Sequence, residues 1–273
     1  MIARLATLTL FIALLFSCTE KAKHTANASQ ESSSVTVTNI TRKCPYNQEL
    51  YTFPNVDVKL FPTASERINN YLRLNVLRAD SLTPENEIFD KVWGNPTSIA
   101  SLSQLSYAVE EAKYPVFSIR ISGQYCGAYC QTGSAYFVFD TRNGKHITVN
   151  EVLNSSGIHM LVDSLNDYRK NQLAKRIELV QDTLNRNATT QDFNKNVYEE
   201  MLNIYSGCLE DKLLADHARD LKFLLIDNHL VIELDRCSAR GNRAIDELAN
   251  LSYSIDLKKW EYQLTDYGKS ILN

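Results

Sequence analysis

The sequence predicts an α+β fold in which a mainly antiparallel sheet carries helices packed on one face. Several short segments alternate apolar and polar side chains and are rich in β-branched and aromatic residues, which is typical of half-buried strands. Two longer segments between residues 157 and 205 repeat apolar side chains at helical spacing. Because strands and helices do not alternate strictly, we expect no parallel sheet of βαβ units.

The first seventeen residues are typical of a signal peptide. Arg4 is their one basic residue, and the apolar run from Leu5 to Phe16 is too short to span a membrane as a helix. The run continues into "LFSC", which resembles the lipobox of bacterial lipoproteins and predicts a lipid on Cys18. The alternative is an ordinary signal peptide in which Cys18 has no role. The lipobox predicts attachment to a membrane through Cys18, in a bacterial cell envelope facing the periplasm or the cell surface.

Composition divides the remaining chain into three parts. Residues 18–34 are small and polar and predict a flexible tether, residues 35–98 a smaller N-terminal portion, and residues 99–273 the main α+β domain. The sequence contains 29 basic and 32 acidic residues, a net charge of −3 that gives no indication of nucleic-acid binding.

The smaller N-terminal portion predicts strands followed by a helix. Ser34 to Ile40 alternates like a strand, and Glu49 to Phe61 indicates two short strands around Pro54. Pro62 and Thr63 open a helix whose apolar residues are Ile68, Tyr71, Leu72 and Leu74. A long polar connection then continues to about Pro96.

The central segment, residues 105–149, predicts an antiparallel meander. Its strands are "LSYAVEEA", "PVFSIRISGQYC" and "SAYFVFDTRNGKHITV". Asn143-Gly144 predicts a hairpin with a type I′ turn, because both central positions of that turn require positive φ.

The C-terminal half predicts two helices and three strands. The helices run from Gly157 to about Leu184 and from Thr190 to Tyr205, the second closed by Gly207. A second hairpin covers residues 221–235 and turns at Asp227-Asn228, and residues 251–257 form a last strand.

The cysteines predict disulfides, because the envelope outside the cytoplasm is oxidising. With Cys18 lipidated, an odd number remains and at most two bridges close. We favour Cys126–Cys130, between two strands, and Cys208–Cys237; pairing of Cys44 with either loop cysteine is nearly as well supported. A zinc knuckle lacks a second cysteine pair, and the spacing of Cys126 and Cys130 is one residue too long for a thioredoxin-like pair.

The sequence contains none of the common hydrolase or cofactor-binding motifs. The histidines form no zincin pattern, and the sequence has no nucleophile elbow and no phosphate loop, so we expect no metal and no cofactor. Glu233 and Asp235 share one face of a predicted strand and are the best candidates for glycosidase carboxylates, although the solvent face of a strand is the simpler interpretation.

The order of elements carries a resemblance to a known family. A strand leads into Gly127-Ala128, an aromatic strand follows, and Phe139, Asp140, Gly144 and Lys145 match a Phe-x-Asp-x-x-x-Gly-Lys turn. Together with the helix pair and the closing "SYSIDL" strand, the chain resembles the RsiV/PdaC-like extracytoplasmic domain family. Tyr129 stands where that family has a loop histidine, so the resemblance does not transfer a function for the loop.

The resemblance implies a binding domain more than an enzyme. Outer domains of this family bind lysozyme in anti-sigma factors or accompany a separate deacetylase. We therefore expect a non-catalytic domain that recognises a cell-wall glycan such as peptidoglycan, or a protein such as lysozyme; the alternative is a carbohydrate-active hydrolase or a deacetylase-associated enzyme using carboxylates. The candidate binding residues form a tyrosine-containing loop and an arginine loop: Tyr125, Gly127, Ala128, Tyr129, Arg236, Arg240 and Arg243.

Overall fold

The strands lie in three antiparallel sheets. A computed structural model describes residues 34–93, 101–126, 130–187, 194–237 and 250–272, all within one compact unit that spans Ser33–Asn273. The predicted signal peptide, Cys18 and nearly all of the tether lie outside the described residues, as does the predicted boundary near residue 98. The α+β fold with mainly antiparallel sheets is confirmed, although the strands are divided among three sheets and not joined in one.

The first sheet pairs two strands, and the second has four strands in sequential order. The third sheet has three strands, also in sequential order. The strands are β1 (Val35–Lys43), β2 (Leu50–Val58), β3 (Ser101–Lys113), β4 (Val116–Cys126), β5 (Cys130–Asp140), β6 (Lys145–His146), β7 (Lys222–Ile226), β8 (His229–Leu234) and β9 (Leu251–Asp256).

The helices lie between the strands in sequence and at the C-terminal end of the chain. Two of them are long, and within the described residues no helix is long and apolar enough to cross a membrane. The α-helices are α1 (Pro62–Leu72), α2 (Asp90–Trp93), α3 (Val149–Val152), α4 (Ser155–Arg186), α5 (Lys195–Glu210) and α6 (Asp266–Ser270), with a π-helical turn at Arg73–Leu77 and 3-10 helices at Ala215–Asp220 and Leu257–Gln263.

Three of the predicted elements differ from the structure. Pro54 lies inside the single strand β2, opposite Asn39 of β1, so the prediction of two short strands is wrong. Helix α5 continues through Gly207 to Glu210, so Gly207 does not end it. The polar connection before Pro96 contains the fully buried side chains of Ile88 and Phe89, which the sequence pattern did not reveal.

The type I′ geometry occurs in the turn between β7 and β8 and not at Asn143-Gly144, where the sequence predicts it. Asn143-Gly144 lies in a four-residue turn between the paired Asp140 and Lys145, and in that turn only Gly144 has positive φ. The predicted type I′ turn is therefore wrong at this position. Asp227 and Asn228 both have positive φ between Ile226 and His229, which is the two-residue geometry of a type I′ turn.

Two hydrophobic cores lie on opposite faces of the four-stranded sheet. Phe117, Ile119 and Phe139 pack on one face with β1, β2 and α1, whereas Val116 and Val138 pack on the other face with β7–β9 and the first half of α4. A third cluster joins the second half of α4 to α5 and includes Cys208. The sheet of β3–β5 is therefore covered on both faces near Val116 and Phe139, and less covered near Cys126 and Cys130.

Candidate functional site

The free end of the β4–β5 hairpin is closed by a disulfide. The two strands pair to their last residues, with Tyr125 opposite Gln131 and Cys126 opposite Cys130. Cys126 and Cys130 form a disulfide with a Cα–Cα distance of 4.0 Å. The predicted loop residues Gly127, Ala128 and Tyr129 lie outside the described residues. We call Tyr125, Cys126, Cys130 and Gln131 the hairpin end.

Tyr125 is the exposed aromatic residue of the hairpin end, with a relative exposure of 51%. Side chains alternate along a strand, so Tyr125 shares its face with Gly123 and the buried Ile121. A Cβ placed on Gly123 would lie 2.8 Å from Leu102 Cδ1 and 3.5 Å from the Tyr125 ring, so both side chains pack closely over the glycine. The tyrosine thus continues the apolar face of the sheet into solvent.

A second exposed tyrosine lies at the same end of the sheet. Tyr46, 53% exposed, lies in the turn between β1 and β2, and the next residue, Asn47, donates from Nδ2 to the Ser103 carbonyl at 2.9 Å. Ser103 in turn hydrogen-bonds the Gln124 carbonyl at 3.0 Å, beside Tyr125. Tyr46 was not predicted from the sequence, because no local pattern indicates that its turn is hydrogen-bonded to β3.

Arg236 lines a cleft at the end of the β7–β8 hairpin that lies opposite its turn. The cleft has a volume of about 320 Å³, and we call it the α4–β8 cleft. Its lining residues are Arg169, Asp211, Leu213, His217, Asp220, Leu221, Lys222, Glu233, Leu234, Asp235, Arg236 and Cys237. Tyr125 is not among them, and the other predicted arginines, Arg240 and Arg243, lie outside the described residues.

Arg169 of helix α4 connects this cleft to a second one. The second cleft, of about 440 Å³, lies beside the end of α5 and is also lined by Arg169 and Asp211. We call it the α4–α5 cleft. Arg169 was not predicted from the sequence, because its surroundings, "NDYRKNQ", are typical of the solvent face of a helix.

Glu233 and Asp235 both line the α4–β8 cleft, as their shared strand face predicts. Asp235 already has a cationic partner, since Lys222 Nζ lies 2.7 Å from each of its carboxylate oxygens. Lys222 is paired with Glu233 across β7 and β8. The geometry therefore places Asp235 in an ion pair on the cleft wall.

The cysteines have the pairings that the sequence analysis favoured. Besides the hairpin end, Cys208 at the end of α5 is bonded to Cys237, with a Cα–Cα distance of 5.6 Å. Cys44 is a buried free thiol. Within the described residues no group of three His, Cys, Asp or Glu side chains could hold a metal ion.

The turn that carried the family resemblance is built around a fully buried carboxylate. Asp140 receives hydrogen bonds from Arg142 Nε at 2.9 Å and Nη2 at 2.7 Å, and from the Tyr267 hydroxyl of α6 at 3.0 Å. Burial acts to raise the pKa of Asp140, but these hydrogen bonds outweigh it and hold the pKa below its usual value. The same burial and the adjacent carboxylate raise the pKa of Tyr267. This cluster ties the hairpin to α6.

Comparison with known proteins relates the chain to others through its fold. By sequence, the chain matches no family model and no curated protein. The solved structure of a DUF3298 family member from Bacteroides fragilis shares the fold over 87% of this chain and 96% of its own, with 9% sequence identity and a TM-score of 0.53. A DUF3298 family protein from Pseudomonas aeruginosa covers 86% of this chain and 95% of its own, with 13% identity and a TM-score of 0.47.

The fold shared with the Bacteroides fragilis structure defines the class of the molecule. The chain is an α+β protein with the fold of a DUF3298 family structure. Its two disulfides fit a domain that lies outside the cytoplasm.

Proposed function

We propose that the chain is a cell-envelope lipoprotein whose domain is a non-catalytic binding module for a cell-wall glycan or for a protein such as lysozyme. Membership in the RsiV/PdaC-like family is part of this proposal. DUF3298 structures are of the RsiV/PdaC accessory-domain type, and the shared fold supports the resemblance found in the sequence.

The observation that carries the proposal is the pair of exposed tyrosines at one end of the four-stranded sheet. Tyr125 is held by a disulfide-closed hairpin, and Tyr46 by a turn hydrogen-bonded to β3. Tyrosine offers a large contact area with few rotatable bonds, so a fixed tyrosine loses little entropy on binding. Such a surface suits both stacking on sugar rings and contact with a protein.

The experiment is a retention assay with residues 34–273, disulfides intact, on insoluble peptidoglycan and on immobilised lysozyme at low and high salt. The proposal predicts retention on one of the two that persists at high salt, because contacts made by tyrosines are only weakly screened. Absence of retention on both contradicts the proposal, and retention that disappears at high salt contradicts the assignment of binding to the tyrosines.

A further inference from the structure

Arg169 carries a positive charge that the fold nearly buries and provides with few partners. Its side chain is 12% exposed. Nη2 donates to the Cys208 carbonyl at 3.3 Å and to Asp211 Oδ2 at 3.4 Å, both long for charged hydrogen bonds. Within the described part of the chain, the Nε and Nη1 groups have no hydrogen-bond partner. Neither group is among the buried nitrogen atoms that lack a partner, so both are accessible to solvent, where an anionic ligand could pair with them.

The surroundings hold the guanidinium in place. Cys208, whose carbonyl accepts from Arg169, is buried and bonded to Cys237. Asn166, on the preceding turn of α4, donates to the Leu213 carbonyl at 3.1 Å and accepts from the Leu213 amide at 2.9 Å. The segment that carries Asp211 is therefore fixed at both ends, and the arginine is positioned before any ligand arrives.

Asp211 is a weak partner that a ligand can replace. Its side chain is 74% exposed, so water competes for its charge and its pairing with Arg169 contributes little. A ligand carboxylate that reaches Nε and Nη1 would form the bidentate contact that Asp211 does not make. Asp211 then competes with the ligand and weakens its binding.

The other residues that line the α4–β8 cleft indicate the charge and the hydrogen-bond donors of the ligand. Asp211, Asp220, Glu233 and Asp235 all line the cleft, and ionised carboxylates only accept hydrogen bonds. Arg169, Lys222 and Arg236 also line the cleft, so these four carboxylates exceed the basic residues by only one, and a ligand with several negative charges would gain less from the cleft than one with a single charge. A ligand with one carboxylate and several hydroxyl groups satisfies both Arg169 and these acceptors, and this is the chemistry of an acidic sugar.

We propose that Arg169 binds the carboxylate of an acidic sugar in the α4–β8 cleft, with Asp211 displaced and the neighbouring carboxylates accepting from the sugar hydroxyls. The proposal rests on glycan recognition as the proposed function, and it assigns the ligand class and a residue at a cleft separate from the hairpin end.

The test is an NMR titration of residues 34–273 with N-acetylmuramic acid and with N-acetylglucosamine, which lacks the lactyl carboxylate. A charge-assisted hydrogen bond is worth about 1.5 kcal/mol or more, so we expect the acidic sugar to bind roughly tenfold more tightly. Arg169→Gln should remove this difference. Asp211→Asn should tighten binding of the acidic sugar, because the competing carboxylate is gone. Arg186→Gln, on the same helix and paired with Asp182, is the control that should change nothing.

Three results would overturn the inference: equal binding of the two sugars, an unchanged affinity in Arg169→Gln, or tighter binding of an acetylated peptide with one glutamate than of the acidic sugar. If Arg169→Gln does not fold, Asp211→Asn decides, since its exposed side chain is not needed for packing. Normal retention of Arg169→Gln on peptidoglycan would reject the cleft but leave the hairpin end and the proposed function intact.

Discussion

Asp140 is a fully buried carboxylate whose role is to connect distant parts of the chain. Arg142 and Tyr267 donate to it from the hairpin turn and from helix α6. Its neighbour Gly144 packs on α1, where an added Cβ would lie 2.6 Å from the Ala64 carbonyl oxygen. The residues of the Phe-x-Asp-x-x-x-Gly-Lys turn are therefore explained by folding, and we assign them no ligand.

We predict that Asp140→Asn destabilises the domain by about 3 kcal/mol or more, because it leaves Arg142 without its buried partner. Urea denaturation at pH 7 measures this. The lowered pKa of Asp140 means that the carboxylate stabilises the fold above about pH 4 and loses this effect as pH falls through its folded-state pKa. The difference in unfolding free energy between the two proteins should accordingly stay constant from pH 7 to about 5 and narrow only as pH falls below about 4.

Asp182→Asn is the matched control. Asp182 pairs with Arg186 on the exposed surface of α4, and such pairs contribute about 0.5 kcal/mol. Equal effects of the two substitutions, or a difference that is independent of pH, would contradict the role given to Asp140.

At the scale of elements, Ser118 joins two sheets that share no strand. It is fully buried on β4; its Oγ donates to the Leu225 carbonyl at 2.7 Å and accepts from the Leu225 amide at 3.2 Å. Strand β7 is at the edge of its sheet, so its outward backbone groups need such partners.

We predict that Ser118→Ala costs about 1–3 kcal/mol, because it leaves two buried backbone groups of Leu225 unpaired. The loss should appear in thermal or urea denaturation, together with faster hydrogen exchange of the Leu225 amide. Ser122 lies on β4 like Ser118, and its half-buried hydroxyl is hydrogen-bonded to that of Ser134 on β5 at 2.9 Å. Ser122→Ala removes this bond and should cost about 1 kcal/mol or less. A Ser118→Ala protein as stable as the wild type would show that the two sheets are held by apolar packing alone.

Local sequence signals predicted the elements better than their turns. The strands of the meander, the late hairpin and α4 lie where alternation and helical spacing placed them. The Asn143-Gly144 turn differs because its conformation depends on distant residues: Arg67 of α1 donates to the Asn143 carbonyl at 3.1 Å, and Asp140 is held by α6. No local pattern contains these contacts.

At the scale of the whole molecule, the candidate site depends on long-range packing that the sequence did not reveal. Tyr125 was accessible to sequence reasoning because it adjoins a conspicuous cysteine pair. Tyr46 and Arg169 were not, since the first needs the contact between Asn47 and Ser103 and the second is buried only when residues 208–213 cross α4. The division of the strands into three sheets around two cores was likewise not predicted from the sequence.

The lipid anchor is a prediction about the whole molecule. We expect the full chain, expressed in a bacterium, to take up labelled palmitate and to fractionate with membranes, and Cys18→Ser to lose both properties. Cys44→Ala, which removes the buried free thiol, should retain both. Labelling that persists in Cys18→Ser would show that the lipobox interpretation is wrong.

The most direct test of the central claim is to compare Tyr125→Ala with the wild type for retention on the ligand that the binding assay identifies. A central aromatic contact is worth about 2 kcal/mol, so the account predicts a loss of affinity of roughly thirtyfold with an unchanged melting temperature. Tyr262→Ala removes a tyrosine that is more exposed, at 90% against 51% for Tyr125, and that lies elsewhere; it should bind normally. Full retention of the folded Tyr125→Ala protein would contradict the assignment of binding to the hairpin end.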